Sequence, residues 1–210
     1  MDAPPAARIE PGARRDIGVV NFGIARLLGF ATGGGPPNVF TTLARHRRLF
    51  RRWLRFAGAL MPGGLLARSD SEVVILRVAH NCGCEYEWHH HERLGRLAGL
   101  SAEEVQRVRR GADADGWSER CSLLLAAADE LHAQRTISDP LWGRLAQQLS
   151  QRELIELCLL VGHYEMLAMT LNALQVRPDP LPTGPPPRAL RALQSLIERR
   201  RGRVPAGRAA

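Results

Sequence analysis

From Asn38 onward the apolar residues of this chain recur at three- and four-residue intervals, a period that predicts helices throughout. Asn38 can cap a first helix containing Phe40 and Leu43. Leu49, Trp53, Phe56 and Leu60 then step by four, three and four. Arg47, Arg48, Arg51, Arg52 and Arg55 fill the rest of that helix and read as a solvated face. Pro62-Gly63-Gly64 ends it, and Ser69 or Asp70 caps a central helix holding the apolar run Val73-Val74-Ile75-Leu76. A short break at Asn81-Cys82-Gly83 precedes another helical segment. Ser101 to Glu104 spells a capping box opening a helix to Arg110, and Gly111 to Gly116 is a turn. Ser118 starts a helix carrying Leu124, Ala127, Ala128 and Leu131. Asp139 before Pro140 marks the start of the next, with Leu141, Leu145 and Leu149. Ser150 to Glu153, a second capping box, opens a long apolar helix through Leu157, Val161, Tyr164 and Leu171. No run alternates with period two, so the predicted class is all-α.

The flanks differ from this body. Residues 1–37 read as an N-terminal extension, loosely ordered over its first twenty residues, with a short apolar segment from Phe22 to Phe30 suited to docking on the body or on a neighbouring subunit. Gly33 to Pro37 breaks the chain there; it is not a phosphate loop, having no following Lys-Ser or Lys-Thr and no preceding strand. Residues 38–177 form the helical domain, and 178–210 a Pro-rich linker with a basic tail, a detached helix or disorder over 188–199.

Charge changes the picture only once it is located. The formal net charge is +8, but residues 188–210 carry seven Arg against Glu198, which leaves +2 for everything else. All basic residues are Arg, a pattern that reads as GC-rich coding, and no groove-reading motif accompanies the charge, so a nucleic-acid partner is not expected. Glu156, His163 and Glu165 interrupt the longest apolar stretch, Leu154 to Leu174, which argues against a membrane span. With no basic-then-apolar leader at the start, a cytoplasmic, reducing setting is expected, where a thiol is free or catalytic rather than a structural disulfide.

The candidate chemistry sits in residues 72–91, EVVILRVAHNCGCEYEWHHH. On a helix Cys84, Glu87 and His91 fall at i, i+3 and i+7, so a thiol, a carboxylate and an imidazole share one face. Glu87 and His91 can hydrogen-bond, the carboxylate orienting the ring and raising its pKa; an ordinary surface or interface pair is the bland alternative. Cys84, near a helix N-terminus and an imidazolium, is a candidate thiolate or else a small core residue. Glu72 either orients the Cys84–His91 face or simply favours a helix N-terminus. Tyr86 and Trp88 are packing residues or substrate contacts, and His163 with Glu165 is a candidate second wall. Cys82 points away from Cys84, and Cys121 and Cys158 read as core. A metal is not expected at His89-His90-His91, since consecutive side chains diverge by about 100° on a helix.

These residues resemble the carboxymuconolactone decarboxylase family, which also contains the alkylhydroperoxidase D enzymes. The resemblance runs from about Asn38 to Val176. It rests on Asn38-Val-Phe with Leu43, Glu72-Val-Val-Ile-Leu-Arg77, Cys84-Glu-Tyr-Glu-Trp88 with His91, Gly99-Leu100-Ser101, Glu153-Leu-Ile-Glu-Leu157 and His163-Tyr164-Glu165-Met166. It implies a compact helical subunit that assembles as a dimer, trimer or hexamer with sites near subunit contacts, acting on a small molecule without a cofactor. The hydroperoxidase branch has a Glu, then Cys-x-x-Cys, then His. These fall on Glu72, Cys84, Glu87 and His91, so a carboxylate stands where that branch has its peroxide-attacking thiol. Cys-x-x-Glu cannot close into a disulfide.

Three functions follow as expectations. The first is acid–base chemistry of decarboxylase or lyase type on a small oxygenated acid or lactone, with His91 as general acid or base, Glu87 its partner, and Tyr86 or an Arg stabilising the enolate. The second is a thiol peroxidase using Cys84, recycled by an external thiol or Cys82. The third is a helical oligomer without catalysis.

Overall fold

A computed structural model describes residues 6–31 and 34–180. The basic tail beyond residue 180, most of the Pro-rich linker, the first five residues and part of the Gly33 break lie outside the described residues. Ten helices, and no strand, are found among the described residues: α1 Arg14–Ile17, α2 Val19–Ala31, α3 Asn38–Leu43, α4 Arg47–Leu60, α5 Arg68–Asn81, α6 Glu85–Leu97, α7 Ala102–Val108, α8 Glu119–Gln134, α9 Asp139–Gln148 and α10 Gln151–Leu174. The chain divides into two compact units. One comprises residues 1–10 and 48–178, the other 11–47 and 179–210.

The smaller unit is more regular than the expected loose end. Asp16 caps α1 by accepting from the Ala13 N–H at 2.9 Å, Gly12 donates to the Thr41 carbonyl at 3.1 Å, and Ile17 is buried. These local bonds give residues 12–17 the partners that composition alone does not reveal. Asn38 is the first residue of α3 rather than its cap. Pro37 precedes it, and the Asp179 carboxylate accepts the Asn38 N–H at 2.7 Å, taking over the capping role.

In the larger unit α5 is the axis, packed against α6, α7, α8 and α10. Val73 to Leu76, Val78 and Ala79 are all buried, so the helix is apolar around most of its circumference, as a helix enclosed by others must be. It begins at Arg68, before either expected cap. Asp70 is instead buried and accepts from Arg120 Nε at 2.7 Å. The Arg77 guanidinium grips Asp129 on α8 with bonds of 2.6 and 3.0 Å. On α4 Leu60 of the predicted stripe is buried and Trp53 half-buried, while Leu49 and Phe56 are exposed and Phe50 is buried in place of Leu49. Ser138 rather than Asp139 occupies the N-cap position of α9. Both capping boxes form, Ser101 with Glu104 and Ser150 with Glu153. By length and composition α10 is apolar enough to cross a bilayer, yet 56% of its apolar window is buried inside the unit, as in a core helix.

Two features position the site. Gly83 has φ 57°, a left-handed conformation that lets the chain reverse within Cys82 and Gly83, and the Cys84 N–H then bonds the Ala79 carbonyl at 2.8 Å. This lays α6 beside α5. Glu156, on α10, is buried and accepts from the Leu65 and Leu66 N–H groups at 2.5 and 3.0 Å, fixing the loop that leads into α5.

Candidate active site

Cys84 is the N-cap of α6, Glu87 lies in its first turn, and His91 follows one turn later. All three are buried, Glu87 to 2% exposure and His91 to 6%. Glu72, on α5, is fully enclosed and contacts two basic side chains. Its Oε2 meets His91 Nδ1 at 2.7 Å, and its Oε1 pairs with Arg68 Nη2 at 2.6 Å. The imidazole is therefore oriented by Glu72, not by Glu87 as the i, i+4 spacing suggests. The fixed contact is on Nδ1, which leaves Nε2 as the ring atom for proton transfer.

Glu87 is released from that role, with the Cys84 thiol beside it. Neither carboxylate oxygen has a hydrogen-bond partner of good geometry among the described residues. Burial pushes this carboxyl up to about 8, and the neighbouring Cys84 thiol withdraws only part of the shift. At neutral pH the group is mostly a protonated acid. The Cys84 thiol is pushed up to about 12 by burial and then by the Glu87 charge, while the backbone N–H groups of Glu87 and Tyr86 act weakly in the other direction. The helix N-terminus thus fails to make a thiolate here, because desolvation outweighs it.

From α10, Tyr164 meets the edge of the His91 ring at 5.0 Å. Burial, with Glu72 and Glu87 nearby, holds its phenol well above the usual range. His163 lies on the other side of Tyr164, at 5.1 Å between ring centroids, sandwiched with Trp53 and Phe56. Burial, and then the nearby His91, lower it to about 4, so it is a neutral ring, and its buried Nδ1 has no hydrogen-bond partner among the described residues. Tyr86 is buried and stacks on His90 at 6.3 Å. Trp88 does not face the cluster. It packs in the core with Val73, Leu76, Ala79, Leu100 and Val105, with the Arg109 guanidinium 3.7 Å over its ring.

The structure thus gathers Glu72, Cys84, Glu87 and His91, with Tyr164 as a wall, and places Trp88 elsewhere. Sequence reasoning overlooked Arg68, although its i, i+4 spacing to Glu72 is a visible signal. Tyr164 enters the sequence reading through the apolar helix and the His163–Met166 segment of the resemblance, without a role at the site. His132 was missed altogether; its partners, Cys82 and Glu165, lie 50 and 33 residues away, beyond any local pattern.

Residues 47–130 match the sequence model of the carboxymuconolactone decarboxylase family, in keeping with the resemblance carried by the Glu72–His91 motif. The fold is shared with solved structures at low identity. An alkylhydroperoxidase AhpD core, an uncharacterized peroxidase-related protein from Ralstonia eutropha JMP134, is 18% identical, with a TM-score of 0.74 over 84% of this chain and 94% of that one. An uncharacterized peroxidase-related protein from Silicibacter sp. TM1040 is 15% identical, with a TM-score of 0.72 over 85% and 95%. The debrominase Bmp8, solved in complex with 2,3,4-tribromopyrrole, is 15% identical, with a TM-score of 0.71 over 93% and 100%. Among curated proteins none matches at the sequence level.

Proposed function

We propose that this chain, with its carboxymuconolactone decarboxylase family region at residues 47–130, is an acid–base enzyme of decarboxylase or lyase type acting on a small oxygenated organic acid or lactone. The observation that carries this reading is the Glu87 carboxyl, buried, without a cationic partner among the described residues and held near 8. Such a group donates a proton at neutral pH. In a decarboxylation the electron pair of the breaking C–CO2 bond passes into the conjugated substrate. Glu87 then protonates the carbon and regains its proton from solvent, while His91, through Nε2, serves as the second acid–base group. Glu72 holds the imidazole in register, while Tyr86 is the candidate donor to the enolate oxygen. The scheme needs no organic cofactor. The four free cysteines suit a reducing cytoplasm, and we take the working species to be a homo-oligomer.

A thiol peroxidase reading has one local observation in its favour, the Tyr86 and Glu87 N–H groups turned toward the Cys84 sulfur. The peroxidase-related descriptions of two relatives point the same way. Against it stands a thiol near 12, since the thiolate is the nucleophile. A paired assay of lactone decarboxylation and peroxide consumption separates the two. His91→Ala is expected to lose about 10²–10⁴-fold in decarboxylation, whereas Cys84→Ser stays within about tenfold of wild type. Peroxide turnover that vanishes with Cys84→Ser would replace this reading with the thiol one. If neither reaction occurs, the non-catalytic oligomer stands.

A further inference from the structure

A second cluster shares no residue with the Glu72, Cys84, Glu87 and His91 group. It joins the end of α5, the last turn of α8 and the middle of α10. Cys82 Sγ, His132 Nδ1 and a Glu165 carboxylate oxygen all lie within 4.8 Å of one another, each residue half-buried. His132 Nδ1 is 2.5 Å from Glu165 Oε1 and 3.9 Å from Cys82 Sγ. In a catalytic relay the ring bridges its partners through different nitrogens. Here the thiol and the carboxylate both face the same nitrogen, which carries at most one proton and can satisfy only one of them. Three lone-pair donors converging on one point are the arrangement of a metal site.

We propose that Cys82, His132 and Glu165 form a binding site for a zinc-type divalent transition-metal ion, with water in the remaining position. One thiolate, one imidazole and one carboxylate suit that ion, whose bonds of about 2.0–2.3 Å place tetrahedral ligand atoms about 3.4–3.6 Å apart. The Sγ–Nδ1 separation closes by a few tenths of an ångström and the Nδ1–Oε1 separation opens by about 1 Å, movements within reach of side-chain rotation alone. Arg135 holds Glu165 Oε2 at 2.5 Å, which leaves Oε1 for the ion and orients the carboxylate from behind. Half-exposure gives the ion and its water an entry path. On binding, the Cys82 thiol loses its proton to buffer and the His132 proton sits on Nε2, so Nδ1 and Sγ both donate electron pairs to the metal.

The test uses tag-free full-length protein and Co2+ as a spectroscopic stand-in for Zn2+. Wild type is expected to give a near-ultraviolet thiolate-to-cobalt band that added Zn2+ bleaches, and a higher melting temperature with Zn2+. Cys82→Ser abolishes the band, and His132→Gln weakens Zn2+ competition at least about tenfold. Cys84→Ser leaves both unchanged. Far-ultraviolet circular dichroism establishes that each variant is folded; should His132→Gln fail, Glu165→Gln takes its place. Absence of the band in wild type overturns the proposal. So does a band that survives Cys82→Ser or disappears with Cys84→Ser.

Discussion

At the scale of single residues, the deciding quantity is where Glu87 keeps its proton. Its ordinary value is 4.5 and its folded value about 8. Between these the folded chain holds a proton that the unfolded chain has already lost, so stability falls as pH rises through the window. The loss is roughly 2–3 kcal/mol from about pH 6 to about pH 9, and no dependence from this group remains below its unfolded value. Glu87→Gln removes the titration. Urea unfolding at the two pH values should therefore show the variant gaining on wild type as the solution becomes alkaline; parallel curves would mean that the carboxyl is not desolvated. If Glu87 is the proton donor, kcat/KM carries a descending limb near pH 8 that the variant lacks. Spacing alone made the shared face of Cys84, Glu87 and His91 legible. The partnership of His91 with Glu72 was not, because it spans 19 residues and depends on how α6 lies across α5. The sequence leaves Cys84 open between thiolate and small core residue for a related reason: the helix N-terminus is visible in sequence, but the depth of burial that opposes it is not.

At the scale of elements, the site depends on the two-residue reversal between α5 and α6. Glycine at position 83 adopts φ 57° with open space where a Cβ would sit, so a side chain there meets backbone strain rather than a clash. Gly83→Ala is expected to cost about 1–2 kcal/mol in chemical denaturation. A cost near zero would show that the turn relaxes without moving Cys84. Helix identity was largely readable because capping boxes and three-to-four periodicity are local signals, as Ser101 with Glu104 and Ser150 with Glu153 illustrate. Rotation about the helix axis was less so. On α4 the choice between Leu49 and Phe50 as the buried residue depends on tertiary neighbours, and both fit an amphipathic pattern. Glu156 shows the same limit from the other side: it interrupts an apolar run in the sequence, yet in the fold it is the acceptor that anchors the Leu65–Leu66 backbone.

At the scale of the whole molecule, the residues of α10 left outside the core form a pattern of their own. Ile155 is 61% exposed and Met169 63%, with Leu159 and Met166 exposed between them. With Gly162 these positions advance by four, three, four and three, the repeat of a helix–helix seam. Gly162 has nothing within 4 Å of where a Cβ would stand, so the middle of the stripe is open to a close neighbour. The opposite face of the same helix carries Leu157, Leu160, Val161, Tyr164 and Leu171 into the core, where Tyr164 forms a wall of the Glu87–His91 cluster. The helix that bounds the chemistry would therefore also be the one on which the proposed homo-oligomer closes, so that assembly stiffens the wall of the site. Replacing Ile155 and Met169 together by Glu puts like charges on the stripe without touching a buried residue. Light scattering is expected to show the assembly falling to a lower order, with the helix content unchanged and decarboxylation reduced along with it. An unchanged assembly would move the interface off α10, and full activity in the dissociated variant would show that one subunit holds a complete site.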